Sequence, residues 1–132
     1  MSKDTIFTKI IKGEIPSYKV YEDDTTLAFM DVHPIQPGMV LVIPKNPVED
    51  FMELPDDDYH ALWSTVKRVA NKMREVYPTK KRIAAIVEGL DVPHAHVKVF
   101  PIDSAEEFRN IPDESQPIDF KALEEQSKIL KI

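Results

Sequence analysis

Apolar and polar positions change period several times along this chain, and each change marks an element. Ile6, Phe7, Ile10 and Ile11 recur at helical spacing. Asp4 or Thr5 can cap them and Gly13 and Pro16 follow, which predicts a short first helix through Lys12. From Ser17 to Glu22, Tyr18 and Val20 share one face, and Asp23-Asp24 is a turn signal before Thr25 to Met30, so these two segments predict a hairpin. His33-Pro34-Ile35-Gln36-Pro37-Gly38 reads as a loop from its prolines and glycine. Met39 to Ile43 is a continuous apolar run, the pattern of a strand buried on both faces, and Pro44 stops it.

Val48 to Pro55 reads as a connection to the main helix, predicted from about Asp56 to Tyr77. There Tyr59, Leu62, Trp63, Val66, Val69, Ala70, Met73, Val76 and Tyr77 keep the i, i+3, i+4, i+7 rhythm. Asp56, Asp57 and Asp58 sit where carboxylates favour the helix dipole, and Pro78 blocks continuation. Ile83 to Val87 predicts a fourth strand, Glu88 to Asp91 a turn, and Val92 to Pro101 a fifth strand. Ser104 to Pro117 is polar and aperiodic, which predicts a surface loop. Asp119 to Leu130 suits a last helix, with Phe120, Leu123, Ser127 and Leu130 along one edge, but at that length it needs a surface to dock on. Elements in this order predict an α+β fold, helices packed on a mainly antiparallel sheet.

Composition narrows the picture. The chain has 132 residues, of which 42% are hydrophobic and 30% charged, enough for one domain with a core and ordinary for a soluble protein. No apolar run reaches the ~18 residues of a membrane span, and Met1-Ser2-Lys3-Asp4 leads into an amphipathic segment rather than a signal peptide. The absence of cysteine excludes disulfides and suits a reducing compartment, so the expected address is cytoplasmic. A net charge of −6 argues against a broad nucleic-acid surface, while a local cationic pocket for one phosphate stays compatible.

Candidate chemistry concentrates in Val92-Pro93-His94-Ala95-His96-Val97-Lys98-Val99-Phe100-Pro101. Alternation along a strand puts His94, His96 and Lys98 on one face and Ala95, Val97 and Val99 on the other, with about 7 Å between neighbours in the row. Two imidazoles and an ammonium so arranged suit phosphate. The same pair of histidines also fits a satisfied core pair, an exposed face, or two ligands of a metal-dependent hydrolase, and Lys98 also fits a solvated edge position. A metal needs a third and usually a fourth ligand. The remaining histidines are His33 and His60, and no carboxylate spacing points to a site, so no metal is expected.

Three further segments raise the signal: Ile6-Phe7-Thr8-Lys9-Ile10-Ile11-Lys12-Gly13-Glu14-Ile15-Pro16, Leu27-Ala28-Phe29-Met30-Asp31-Val32-His33-Pro34 and Leu41-Val42-Ile43-Pro44-Lys45, which precede Val92-Pro93-His94-Ala95-His96. In this order and spacing the chain resembles, from residue 6 to residue 101, the histidine triad (HIT) superfamily of nucleotide hydrolases and transferases. The family's pattern ends His-x-His-x-His, and here Lys98 stands in the third place.

The resemblance implies a HIT-like domain over residues 1–103, with a curved five-stranded sheet carrying one long and one short helix. It leaves 104–132 as a loop and short helix on or beyond that domain. It implies a homodimer and an activity at the α-phosphorus of a purine nucleotide conjugate, a phosphoramidate or dinucleoside polyphosphate, with His96 as the nucleophile that carries the nucleotidyl group. His94 would orient the array and contact the phosphate, with a nearby backbone carbonyl tying down one ring nitrogen of the nucleophile. Ile6, Phe7, Ile10, Phe29 and Val32 would enclose the base and Asp31 would hold the ribose hydroxyls. Lys98 would offer a positive charge and three donors to phosphate but a poorer proton donor than imidazole, so slower turnover or altered leaving-group preference is expected. Thr5, Thr8 and Pro47 occupy positions where many bacterial members bind zinc, so neither zinc nor another cofactor is expected. Met39 and Val87 to Asp91 also depart from the family's phosphate-site residues, and Asp91 adds an unhelpful charge. The alternative is a nucleotide-binding adaptor with weak or lost catalysis.

Overall fold

A computed structural model describes residues 4–132; Met1, Ser2 and Lys3, where the leader reading began, lie outside the described residues. The first helix, α1, covers Ile6–Ile11. Thr5 Oγ accepts from the Phe7 and Thr8 amides while Thr8 Oγ accepts from the Thr5 amide, a reciprocal cap that fixes the helix entry. Gly13 ends the segment with φ +79°, a conformation open to glycine without strain.

Strands β1 (Lys19–Glu22) and β2 (Thr26–Met30) form the expected hairpin. Its turn is organised by Asp23, whose Oδ1 accepts from the amides of Thr25 and Thr26. Burial raises the Asp23 carboxyl, but these amides and the Tyr21 hydroxyl outweigh it and hold it down at about 2. Strand β3 (Val40–Pro44) is buried at every position, as a continuous apolar run requires. Gly38 brings the chain into it at φ +90°, where a Cβ would stand 3.0 Å from the Tyr77 hydroxyl oxygen.

After a 3-10 turn at Phe51–Glu53, α2 runs over Asp56–Val76. Strands β4 (Arg82–Ile86) and β5 (Val97–Ile102) complete a five-stranded sheet of order β1-β2-β3-β5-β4, antiparallel at each pairing. The architecture is α+β, with the sheet between two unequal layers. On one face, Ala28, Met30, Val40, Val42, Val97 and Val99 pack against Leu62, Val66, Val69 and Met73 of α2. Leu62 and Met73 are fully buried, each stabilising the fold by about 1.5–3 kcal/mol. Trp63 lies at the edge of this layer, its ring 6.4 Å from those of Phe51 and Tyr59. On the other face α1 lays Phe7 and Ile10 over Leu27, Phe29, Leu41 and Ile43.

Three expectations require correction. The fifth strand does not begin at Val92: Pro93 has no amide to donate, His94 N–H closes a turn onto the Val92 carbonyl, and the Ala95 amide bonds the Val48 carbonyl rather than a strand. Ser104 to Pro117 is not all loop, because Ser104 caps a short helix, α3 (Ala105–Phe108). The final helix, α4 (Phe120–Leu130), docks on α2, β1 and β2 through Leu123, Ser127 and Leu130, but Phe120 stays 57% exposed and faces elsewhere. Beyond α4 the Ile132 amide donates to the Val20 carbonyl at 2.9 Å, fastening the chain's end to β1.

Candidate active site

The segment before β5 keeps the side-chain alternation of a strand although its ladder starts only at Val97. Ala95, Val97 and Val99 are buried, the two valines in the α2 layer. His94 and His96 face the α1 layer, where the Phe7 ring meets both edge-on at 5.8 and 5.1 Å. Lys98 pairs in register with Leu41 and so shares that face.

The two imidazoles differ in surroundings. His94 is wholly buried, and its Nε2 lies 2.7 Å from the carbonyl of Pro44 at the end of β3. A carbonyl oxygen only accepts, so Nε2 carries the proton; Nδ1 is buried with no partner among the described residues. Burial holds the His94 pKa below its ordinary value, with the Pro44 carbonyl acting against this and the His96 charge adding to it. The ring is therefore neutral at neutral pH.

His96 is 2% exposed, nearly as covered, yet its contacts are asymmetric. Nδ1 lies 2.8 Å from the carbonyl of His94 and by the same argument donates to it. In the neutral ring Nε2 is then the bare nitrogen. Among the described residues it has no hydrogen-bond partner, and the ring forms part of the wall of a cavity of about 800 Å³. That volume falls within the range of small-molecule sites.

Of the residues singled out from the sequence, Ile6, Phe7, Ile10, Phe29, Asp31, Val32, His96 and Lys98 all line this cavity. His94 does not; it stands behind, between Phe7 and Pro44. Asp31 uses Oδ1 to accept from the His33 amide at 2.8 Å, closing the turn after β2. Its second oxygen is not used in a hydrogen bond among the described residues. Burial raises the Asp31 carboxyl, opposed by the His33 amide and the charges of Lys98, His33 and His96. Lys98 Nζ sits 3.4 Å from Glu88 Oε1 and 3.6 Å from Asp91 Oδ2.

Sequence reasoning missed part of the wall. His33, read as a loop residue without a role, borders the cavity, as do Tyr18 and the tail residues Ile111, Asp113, Glu114 and Phe120. The one available signal was apolar side chains in a polar tail: Ile111 and Phe120 are 85% and 57% exposed. A smaller cavity of about 280 Å³ lies against His96 as well, lined in part by Glu49, Asp50 and Glu88. Among the described residues no group of three or more His, Asp or Glu side chains is arranged to hold a metal ion.

Comparison with known proteins converges on one family. The HIT domain model matches residues 12–114. An uncharacterized HIT-like protein of Synechococcus elongatus is 58% identical over 102 residues, covering 74% of this chain and 89% of that protein. The adenosine 5'-monophosphoramidase HNT1 of Saccharomyces cerevisiae is 34% identical over 97 residues, covering 73% and 61% of the two chains. In structure, a HIT-like protein of Bartonella henselae superposes with a TM-score of 0.79 at 25% identity over 99% of this chain and 97% of its own.

Proposed function

The chain belongs to the HIT domain family, and from that premise we propose that it hydrolyses or transfers a nucleotidyl group at the α-phosphorus of a purine nucleotide conjugate. The observation that carries the reading is the tautomer imposed on His96: with Nδ1 donating to the His94 carbonyl at 2.8 Å, the neutral ring offers its lone pair at Nε2 beside the cavity. The resemblance to an adenosine 5'-monophosphoramidase supports a phosphoramidate as substrate.

In the proposed reaction Nε2 attacks the α-phosphorus and forms a P–N bond, while the P–N bond to the departing amine breaks and that amine takes up a proton. Water then attacks the same phosphorus, the bond to imidazole breaks, and a nucleoside monophosphate is released. His94 is a positioning residue, since its backbone carbonyl holds His96 and its ring is anchored by Pro44. Lys98, in the third triad place, contributes charge to the phosphoryl oxygens. Mixing the protein with adenosine phosphoramidate, quenching and measuring intact mass should reveal a nucleotidyl adduct together with released adenosine monophosphate. Binding with neither adduct nor product would identify a nucleotide-binding adaptor instead, a reading favoured by the carboxylates that already engage Lys98.

Two substitutions test the parts. Asp31→Ala should weaken nucleotide binding by roughly tenfold to a hundredfold, the value of a charged acceptor on ribose hydroxyls, with little change in Tm; a collapse in Tm would make the residue only a turn cap. Lys98→His should raise turnover by roughly tenfold, because imidazole is better matched to proton donation at neutral pH. Unchanged turnover on every phosphoramidate and dinucleotide substrate would show that position 98 does not limit the chemistry.

A further inference from the structure

The reading of the cavity as a nucleotide site leaves open how many phosphates it accepts, and the charges around His96 bear on that question. Among the described residues the wall of the larger cavity carries one lysine or arginine, Lys98, against four carboxylates, Asp31, Asp91, Asp113 and Glu114. The smaller cavity adds three more, Glu49, Asp50 and Glu88, and no lysine or arginine. Lys98 is not a spare cation. Its side chain is 15% exposed and its ammonium lies 3.4 Å from Glu88 and 3.6 Å from Asp91. Both carboxylates belong to the segment joining β4 to β5, in which Gly89 adopts φ +68°. One ammonium is thus matched twice before any ligand arrives.

We propose that Glu88 and Asp91 are specificity-determining residues: by neutralising Lys98 they leave the cavity with an excess of negative charge, so that it accepts nucleosides bearing a single phosphate group, as ester or amide, and rejects nucleoside di- and triphosphates and dinucleoside polyphosphates. This rests on the proposed nucleotide site and refines its substrate class. A single phosphate replaces one carboxylate at the Lys98 ammonium and adds little to the local imbalance. Each further phosphate brings at least one more negative charge among carboxylates that have no cation to share, a repulsive element of the kind that sets specificity. Asp91, Asp113 and Glu114 border the same cavity as Lys98 and His96, and Asp91 lies 3.6 Å from the Lys98 ammonium.

Calorimetric titration of the full chain with adenosine mono-, di- and triphosphate, at low ionic strength and with a chelator to remove divalent cations, tests the proposal. The monophosphate should bind about tenfold or more tighter than the triphosphate, and the gap should shrink at about 0.5 M salt as the repulsion is screened. In the double variant Glu88→Gln/Asp91→Asn the triphosphate should gain affinity until the two nucleotides differ by about threefold or less. Both carboxylates stand at the surface and bond only Lys98 among the described residues, so the variant retains its fold. Equal affinities in the native chain, or a ratio unchanged in the double variant, would overturn the charge selection while leaving the nucleotide site intact. Failure of all three nucleotides to bind would overturn the nucleotide site, and the selection with it.

Discussion

His96→Ala should abolish the nucleotidyl adduct and lower turnover of adenosine phosphoramidate by about 10⁴-fold or more, the scale on which enzymes lose rate when the attacking group itself is removed. The reason is positional as much as chemical. His96 is the histidine that both borders the large cavity and has one nitrogen tied to backbone and the other bare. His94 lacks the first property: it is absent from the cavity wall, with its Nε2 committed to Pro44 and its Nδ1 enclosed. Removing the ring also removes an edge contact with Phe7 at 5.1 Å, so His96→Asn, which keeps a donor in place of Nδ1, is the companion variant. Both should bind nucleotide and neither should form the adduct. Turnover within tenfold of the native chain in either would show that another group attacks.

The second large effect falls on stability. His94→Ala should cost about 3 kcal/mol, since it empties a fully buried site between Phe7 and Pro44 and leaves the Pro44 carbonyl without its 2.7 Å donor. It should also change the acid limb of the stability curve. Burial first, then the His96 charge, hold the folded pKa of His94 below the ordinary 6.5, the Pro44 bond opposing them. As pH falls below about 7 the unfolded chain takes up a proton that the folded ring resists, so the unfolded state binds more protons and stability declines. The decline continues until the depressed folded value is reached, with a limiting slope of about 1.4 kcal/mol per pH unit. Above pH 7 the contribution is fully present. Asp31 works in the opposite sense, because its raised carboxyl protonates in the fold before it does in the unfolded chain. Thermal melts from pH 7.5 to 5 on the native chain and His94→Ala isolate the histidine: the variant should show the shallower slope. Equal slopes would mean that His94 takes up its proton alike in the folded and the unfolded chain.

What could be read in advance divides along physical lines. The long helix was legible because nine apolar positions repeat at its period, and β3 because five consecutive apolar residues can only be buried on both faces. The alternation of His94, His96 and Lys98 was legible for the same reason, although hydrogen bonding in that segment was not: whether Ala95 pairs with a strand or with Val48 depends on a residue 47 positions earlier. The helix at Ala105–Phe108 and the 3-10 turn at Phe51–Glu53 are too short for a period to show. The cavity wall supplied by Ile111, Asp113, Glu114 and Phe120 was hidden because it depends on where the chain returns after β5, which no local pattern encodes. Thr5 and Thr8, considered from the sequence as positions where relatives carry metal ligands, satisfy each other's backbone amides and set the angle at which Phe7 meets both imidazoles.

The lone indole of this protein, Trp63, occupies the far side of the sheet from the imidazoles and belongs to the wall of neither cavity. Its fluorescence will follow the parting of α2 from the strands beneath it and stay nearly constant while nucleotide enters. Emission and calorimetry therefore report on two separate events, and a variant that merely falls apart can be told from one that has lost only its ligand.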